Sequence, residues 1–290
     1  MDACGPPGTV RFDRVAIVGT GLIGGSAAAA LRARGLAGTI VGYGPEAGRA
    51  LACGLLDEAA GSLERAVRGA DLVLLAAPVS AIGALMAPLS GLLDARAVLT
   101  DAGSTKSSIV AAARAHLGAA LARFVPAHPI AGSERSGPGA ADARLFDGAR
   151  VLVAPLPETA PDALERACAF WTALGARASM LPPEAHDGLL AATSHLPHVV
   201  AFALALALAR RPDADEALRM AGGGLRDTTR VAASQAALWA DILLDNREPL
   251  AAALAQFDAA RDALGAALAA GDALRLAALI GEAGDWRRRL

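Results

Sequence analysis

Arg14-Val15-Ala16-Ile17-Val18 runs directly into Gly19-Thr20-Gly21-Leu22-Ile23-Gly24-Gly25-Ser26, and an alanine-rich stretch, residues 27–34, follows at once. The first five residues suit a buried strand, and the alanines favour a helix. Between them stands G-x-G-x-x-G in the context that gives the motif meaning, strand before and helix after. The first glycine permits the tight turn, the second lets a pyrophosphate approach the backbone, and the third lets helix and strand pack closely. The helix N-terminus then turns its free N–H groups toward the phosphates. The stretch predicts an α/β fold with a dinucleotide site at Gly19, Thr20, Gly21, Leu22, Ile23 and Gly24.

Outward from this point the alternation continues. A strand over residues 39–43 ends at Tyr43, where an adenosine ribose would lie. NAD sites usually carry Asp or Glu there, but Tyr43 is followed by Gly44 and Pro45, with Glu46 and Arg49 just beyond. Residues 71–76 (DLVLLA) form an unbroken apolar strand of the parallel kind. Pro78 opens a helix to about Leu89. Residues 97–100 form the next strand, ending in Asp101-Ala102-Gly103-Ser104-Thr105-Lys106, and a helix follows over 107–117.

A strand over 124–127 then delivers His128 into the polar, glycine-bearing loop PIAGSERSG. A histidine so placed is positioned like a general acid/base. Ligands of such sheets sit beyond the carboxyl ends of the strands. The glycine loop, residues 101–106 and residues 128–136 therefore gather at one rim. Lys106 is the only lysine in the chain. It serves either a local hydrogen bond or merely a solvated surface.

A strand (150–154), a helix (161–174) and a strand (176–181) complete the alternation, and Pro182-Pro183 ends it. Beyond lies only helical periodicity rich in Ala and Leu. The fold class read from this is an α/β nucleotide-binding domain, residues 1–181, followed by an all-α domain, residues 182–290. Within the second, Thr193-Ser194-His195-Leu196-Pro197-His198 offers two histidines with no suitably spaced third ligand, so no metal is expected. Residues 199–209 are apolar on every face, about half a membrane span, and closed by Arg210 and Arg211. Such a run reads as a buried helix, most easily enclosed at a subunit interface. Gly222-Gly223-Gly224 leads into Arg226 and Arg230, four apart and on one helical face. That cluster is either an anion site or a solvated helix start.

The chain of 290 residues carries a formal net charge of -2, which points to no nucleic-acid partner. Cys4, Cys53 and Cys168 are odd in number and widely spaced, so neither a disulfide framework nor a metal knuckle is expected, and the cytoplasm is the expected compartment. The first residues, MDACGPPGTVRFD, lack the apolar core of a signal peptide. No membrane association is expected.

The order of GTGLIGGS, DAGSTK, HPIAGSERSG, SHLPH, GGGLRDTTR and LWADILLDN closely resembles the prephenate/arogenate dehydrogenases of tyrosine biosynthesis, from about Arg14 to beyond Asn246. The resemblance implies a Rossmann domain, a helical dimerisation domain and an active site between them, in a homodimer using NAD, with NADP possible. It implies an oxidative decarboxylation of prephenate. Hydride leaves the ring carbon that bears the hydroxyl, carbon dioxide leaves the opposite carbon, and the ring becomes aromatic.

By the same resemblance His128 and Ser104 are catalytic, His128 taking the hydroxyl proton and Ser104 orienting both His128 and the nicotinamide. Arg230 binds a substrate carboxylate and His198 faces the side chain, where a protonated ring would favour prephenate over arogenate. Ser133, Glu134 and Gly223 complete the substrate site. The glycine loop, Tyr43, Asp101 and Ser104 lie at the cofactor. The departure is Gly44, where many relatives carry Asp. Three rivals stand beside this reading. A two-domain hydroxy-acid dehydrogenase would use a lysine in the second domain, and none follows Lys106. A relative acting on an amino-substituted prephenate, and a catalytically silent nucleotide-sensing protein, are the others.

Overall fold

The computed structural model describes residues 10–132 and 135–290. The first part alternates strictly: β1 (Phe12–Val18), α1 (Leu22–Ala33), β2 (Ala37–Tyr43), α2 (Ala47–Ala52), β3 (Glu58–Ala59), α3 (Leu63–Val67), β4 (Leu72–Leu75), α4 (Val79–Leu89), β5 (Val98–Asp101), α5 (Ser107–His116) and β6 (Phe124–Val125). These six strands form one parallel sheet in the order β3-β2-β1-β4-β5-β6. Successive strand residues point to opposite faces. Val15 and Ile17 of β1 therefore enter the core beneath α1, while Ala16 and Val18 enter the core beneath α4 and α5. Burial on both faces explains why β4 reads as four apolar residues in a row.

The chain then builds a second sheet from β7 (Ala127–Ile130), β8 (Arg150–Val153) and, after α6 (Pro161–Ala173), β9 (Arg177–Met180), in that order. β7 runs antiparallel to β8, and β9 parallel to it. This corrects the expectation for His128. The apolar run 124–127 is not one strand but two half-strands parted at Pro126. Proline offers no N–H to a ladder, and its carbonyl accepts from Ala154 N–H at 2.8 Å, so the chain leaves the first sheet there. His128 lies inside β7, paired with Leu152, rather than in a loop past the parallel sheet.

The rest is helical: α7 (Pro183–Leu190), α8 (Leu196–Ala209), α9 (Ala214–Arg219), α10 (Gly223–Thr229), α11 (Ala236–Asp245), α12 (Arg247–Ala269) and α13 (Ala273–Arg287). One π-helical turn, Ala191–His195, joins α7 to α8. The two make a single helix, Pro183–Ala209, of 27 residues, long and apolar enough by length and composition to cross a membrane. The expected run of residues 199–209 is thus the end of a longer rod. The wide turn lets the rod pass Pro197, which has no N–H to give. Cys53 is a free exposed thiol. Cys168 is disulfide-bonded, against the expectation of unpaired cysteines.

Candidate active site

The glycine loop divides its labour. Gly19 adopts φ +92°, and a Cβ there would lie 2.3 Å from the Ala76 carbonyl oxygen. A Cβ on Gly24 would lie 1.9 Å from the carbonyl oxygen of Gly19. Gly19 thus lets the turn after β1 approach the end of β4, and Gly24 lets α1 pack against β1. Gly21 is different: a Cβ there would meet nothing within 4 Å, and the residue borders a cleft of about 620 Å³. α1 begins there without a side-chain cap, so its first N–H groups are left for a ligand. Thr20 Oγ1 is buried without a partner beside them. Open space at the middle glycine and uncapped amides fit a bound dinucleotide. At the ribose end Gly44 takes φ +129°, a conformation that side chains rarely adopt. Arg49 is held by Glu46 at 2.8 Å.

His128 stands on the far wall of the same cleft. Its Nδ1 meets Nε2 of His186 at 2.9 Å, and Nδ1 of His186 meets Oδ1 of Asp187 at 2.8 Å. Asp187 in turn accepts from Lys106 N–H (2.7 Å) and Ser107 N–H (2.8 Å), so a carboxylate of the helical part caps α5 of the nucleotide-binding part. Burial alone would raise the Asp187 pKa; the bonds from His186, Ser107 and Lys106 outweigh it and hold it at about 2. Burial pushes His128 well below the usual histidine pKa, and positive charge on His186, Lys106 or His195 would push it further. His128 is therefore neutral at physiological pH, the state a base requires.

Beneath this row lies a fully buried ion pair, Lys106 Nζ to Asp101 Oδ2 at 2.5 Å. Asp101 also accepts from Gly103 N–H at 2.8 Å and from Ala127 N–H at 3.0 Å, which pins the backbone immediately before His128. Two corrections follow. Lys106 is not a solvated surface lysine, and Asp101 turns its carboxylate inward instead of toward a cofactor. The pair is costly to bury, and removing either member would strand a charge.

The helical part supplies the opposite wall. His198, Arg230 and Trp239 border the cleft. The rings of His198 and Trp239 stack at 3.4 Å. Nδ1–H of His198 donates to the Ser194 carbonyl at 2.9 Å across the π-helical turn. Burial lowers the His198 pKa, the Ser194 bond opposes this, and the Arg230 charge adds to the lowering. A neutral ring bonded through Nδ1 leaves Nε2 as an acceptor. The expectation of a cationic His198 that repels an ammonium is thereby corrected. Neighbouring His195 is buried and receives Asn246 Nδ2–H at 2.9 Å.

Of the residues singled out from sequence, the fold brings Gly21, Leu22, Ile23, Ser104, His128, His198 and Arg230 to one cleft. Gly19, Thr20 and Gly24 stand behind it in the packing, and Tyr43 closes β2 away from its wall. Gly223 is exposed at the start of α10, off the cleft. Ser133 and Glu134 lie outside the described residues. Ser104 makes no hydrogen bond to His128; His186 occupies that role. Sequence reasoning missed His186, Asp187, Trp239 and Asn246. An adjacent His-Asp pair just after the Pro-Pro boundary was the one available signal.

Comparison with known proteins matches both parts of the chain. The family described as prephenate dehydrogenase, nucleotide-binding domain, matches residues 27–180, and its dimerization domain matches residues 182–282. The chain is 37% identical to a cyclohexadienyl dehydrogenase of Zymomonas mobilis over 90% of each chain. It is 35% identical to a Bacillus subtilis prephenate dehydrogenase over 82% of this chain and 65% of that one. A crystal structure of the A. aeolicus prephenate dehydrogenase with hydroxyphenyl propionate and NAD+ superposes with a TM-score of 0.88 at 33% identity, covering 97% of this chain and 99% of that chain. A Synechocystis arogenate dehydrogenase gives 0.78 at 28% identity, covering 96% and 100%. With both parts of the chain matched in order, and a cleft formed between them, the protein belongs to the prephenate dehydrogenase family.

Proposed function

We propose that this chain is an NAD-dependent dehydrogenase that converts prephenate to 4-hydroxyphenylpyruvate with loss of carbon dioxide. One observation carries the reading: an uncapped glycine-loop helix, a neutral histidine and an arginine face a single cleft. The N-terminal amides of α1 hold the pyrophosphate, with Gly21 giving it room. A nicotinamide nucleotide supplies the acceptor for the hydride. Nε2 of His128 takes the hydroxyl proton as the carbonyl develops, and Arg230 grips a substrate carboxylate. Ser104 lines the same cleft, where it would face the nicotinamide. The division at residues 181 and 182 separates the nucleotide domain from the substrate domain. The Glu46–Arg49 pair leaves no unbalanced cation for a 2′-phosphate, which favours NAD over NADP.

The helical part forms a homodimer in this reading, since α8 leaves Leu206 half exposed and little of its length covered. The protein works in the cytoplasm, where both prephenate and NAD are small soluble metabolites. A second reading, oxidation of arogenate as well, is favoured by the free acceptor on His198, which suits an ammonium.

The test is the near-ultraviolet absorbance of reduced nicotinamide, followed with prephenate or arogenate and with NAD or NADP. Prephenate with NAD is expected to give the highest specificity constant. His128→Asn is expected to lower turnover by roughly 10²–10⁴-fold with NAD binding unchanged. Turnover near wild type in that variant, or no reaction with either substrate, refutes the reading.

A further inference from the structure

The ring that is to act as a base is held by a chain of groups whose polarity is set at its far end. Asp187 already accepts two backbone N–H groups, from Lys106 and Ser107. It must therefore present lone pairs to whatever else it meets, and it meets Nδ1 of His186. His186 donates from Nδ1, and as a neutral ring it keeps its lone pair on Nε2. That nitrogen lies 2.9 Å from Nδ1 of His128, so His128 donates there. The only proton of a neutral His128 is then spent on Nδ1, and Nε2 is left as a lone pair. The reverse polarity would need a protonated Asp187 facing two N–H donors, or a charged His186. Burial, with the buried Lys106 ammonium nearby, opposes the second.

We propose that His186 and Asp187 are positioning residues that fix the tautomer of His128, so that Nε2 is the nitrogen free to receive the substrate proton. The proposal rests on the reading of His128 as base and deepens it. When the substrate O–H bond breaks, its proton forms the Nε2–H bond of His128, and the electron pair of that bond becomes part of the new carbonyl. The hydride goes to the nicotinamide. The imidazolium so formed keeps its Nδ1–H bond to His186. Asp187 lies at the end of the row as the compensating negative charge. The device also crosses the domain boundary. His128 belongs to the first part of the chain, and the pair that orients it belongs to the second.

Two measurements test this. The first uses NAD-loaded protein labelled with nitrogen-15 in the histidine rings, observed by two-bond proton–nitrogen correlation at neutral pH. With five histidines in the chain, His128 and His186 are assigned by the signals lost in His128→Asn and His186→Gln. Both rings are expected as the Nδ1–H tautomer. A wild-type His128 carrying its proton on Nε2 overturns the proposal, and this reading needs no variant to be active. The second is steady-state kinetics. A wrong tautomer in a comparable relay costs up to about 10⁴-fold in kcat, so His186→Phe is expected to lose roughly 10²-fold or more. KM for prephenate and Kd for NAD should shift less than about threefold, because neither wall of the binding cleft is touched. His186→Gln can accept the Nδ1–H through its amide oxygen and is expected to stay within about tenfold of wild type. Equal losses in the two variants, or full activity in His186→Phe, sink the proposal. An active His128→Asn would instead remove the base reading on which it stands, and the two failures are thus told apart.

Discussion

The nucleotide-binding part and the helical part solve the problem of apolar surface in opposite ways. In the first, a sheet covered on both faces divides its side chains between two closed cores, and Val15, Ile17, Leu72 and Leu74 are all without exposure. In the second, buried apolar residues are few, among them Leu190, Ala201, Ile242 and Leu250, while Leu206, Leu244 and Leu268 stand exposed. A sheet flanked by helices completes its burial within one chain. Helices that are apolar around most of their girth do not, and α8, with Ala201 its one buried residue, is the extreme case. The first part is therefore expected to stand alone energetically. The second is expected to depend on a further surface, which in the homodimer reading is its own copy.

The sharpest way to break this contrast is to add one methyl group to each part. Gly24→Ala places a Cβ against the Gly19 carbonyl, backbone against backbone. The expected loss is about 3 kcal/mol or more, at the upper end of overpacking costs. Gly223→Ala, where a Cβ would meet nothing within 4 Å, should change stability by less than about 1 kcal/mol and in the stabilising direction. Urea unfolding of the two variants checks both, and a stable Gly24→Ala protein would contradict the packing described for α1.

A smaller effect is expected from Leu206→Glu. A charge on the apolar face of α8 should shift the protein toward monomer in sedimentation, with NAD affinity altered less than about threefold, well under 1.4 kcal/mol. An unchanged assembly would show that α8 is not the surface that closes the second part.

A further effect concerns acid. Burial lowers the pKa of His195 from 6.5 to about 4. An unfolded chain binds that proton near pH 6.5 while the folded one refuses it until about 4, so stability should fall as pH drops through this interval. Asp187 adds a second loss between 3.8 and about 2, where its folded form resists protonation. Denaturant midpoints measured against pH should show the slope, and His195→Gln should flatten its upper portion.

The α/β alternation, the glycine loop and the break at Pro182-Pro183 were legible because each rests on local chemistry: strand periodicity, helix capping and missing N–H groups. The departure of the chain at Pro126 was not. The apolar run 124–127 looks continuous, and only its pairing with residues 150–153 reveals the split. The site shows the same limit. Gly21, His128 and Arg230 announce themselves by motif, whereas the partnership of His128 with His186 joins positions 58 apart and leaves no periodic trace. Lys106 was conspicuous as the only lysine, but its pairing with Asp101 five residues earlier depends on how the loop after β5 curls.

That same residue governs how the protein meets amine-directed reagents. The single lysine among 290 residues has no solvent exposure. Apart from the chain's own α-amine, the folded molecule exposes no amine to acylating labels or amine crosslinkers. With that lysine buried, the strongly basic side chains left at the surface are arginines. The Lys106 ammonium becomes reactive only when the loop that holds it against Asp101 opens. Its rate of acylation is thus a clock for the opening of the loop after β5, on which the site's buried ion pair stands.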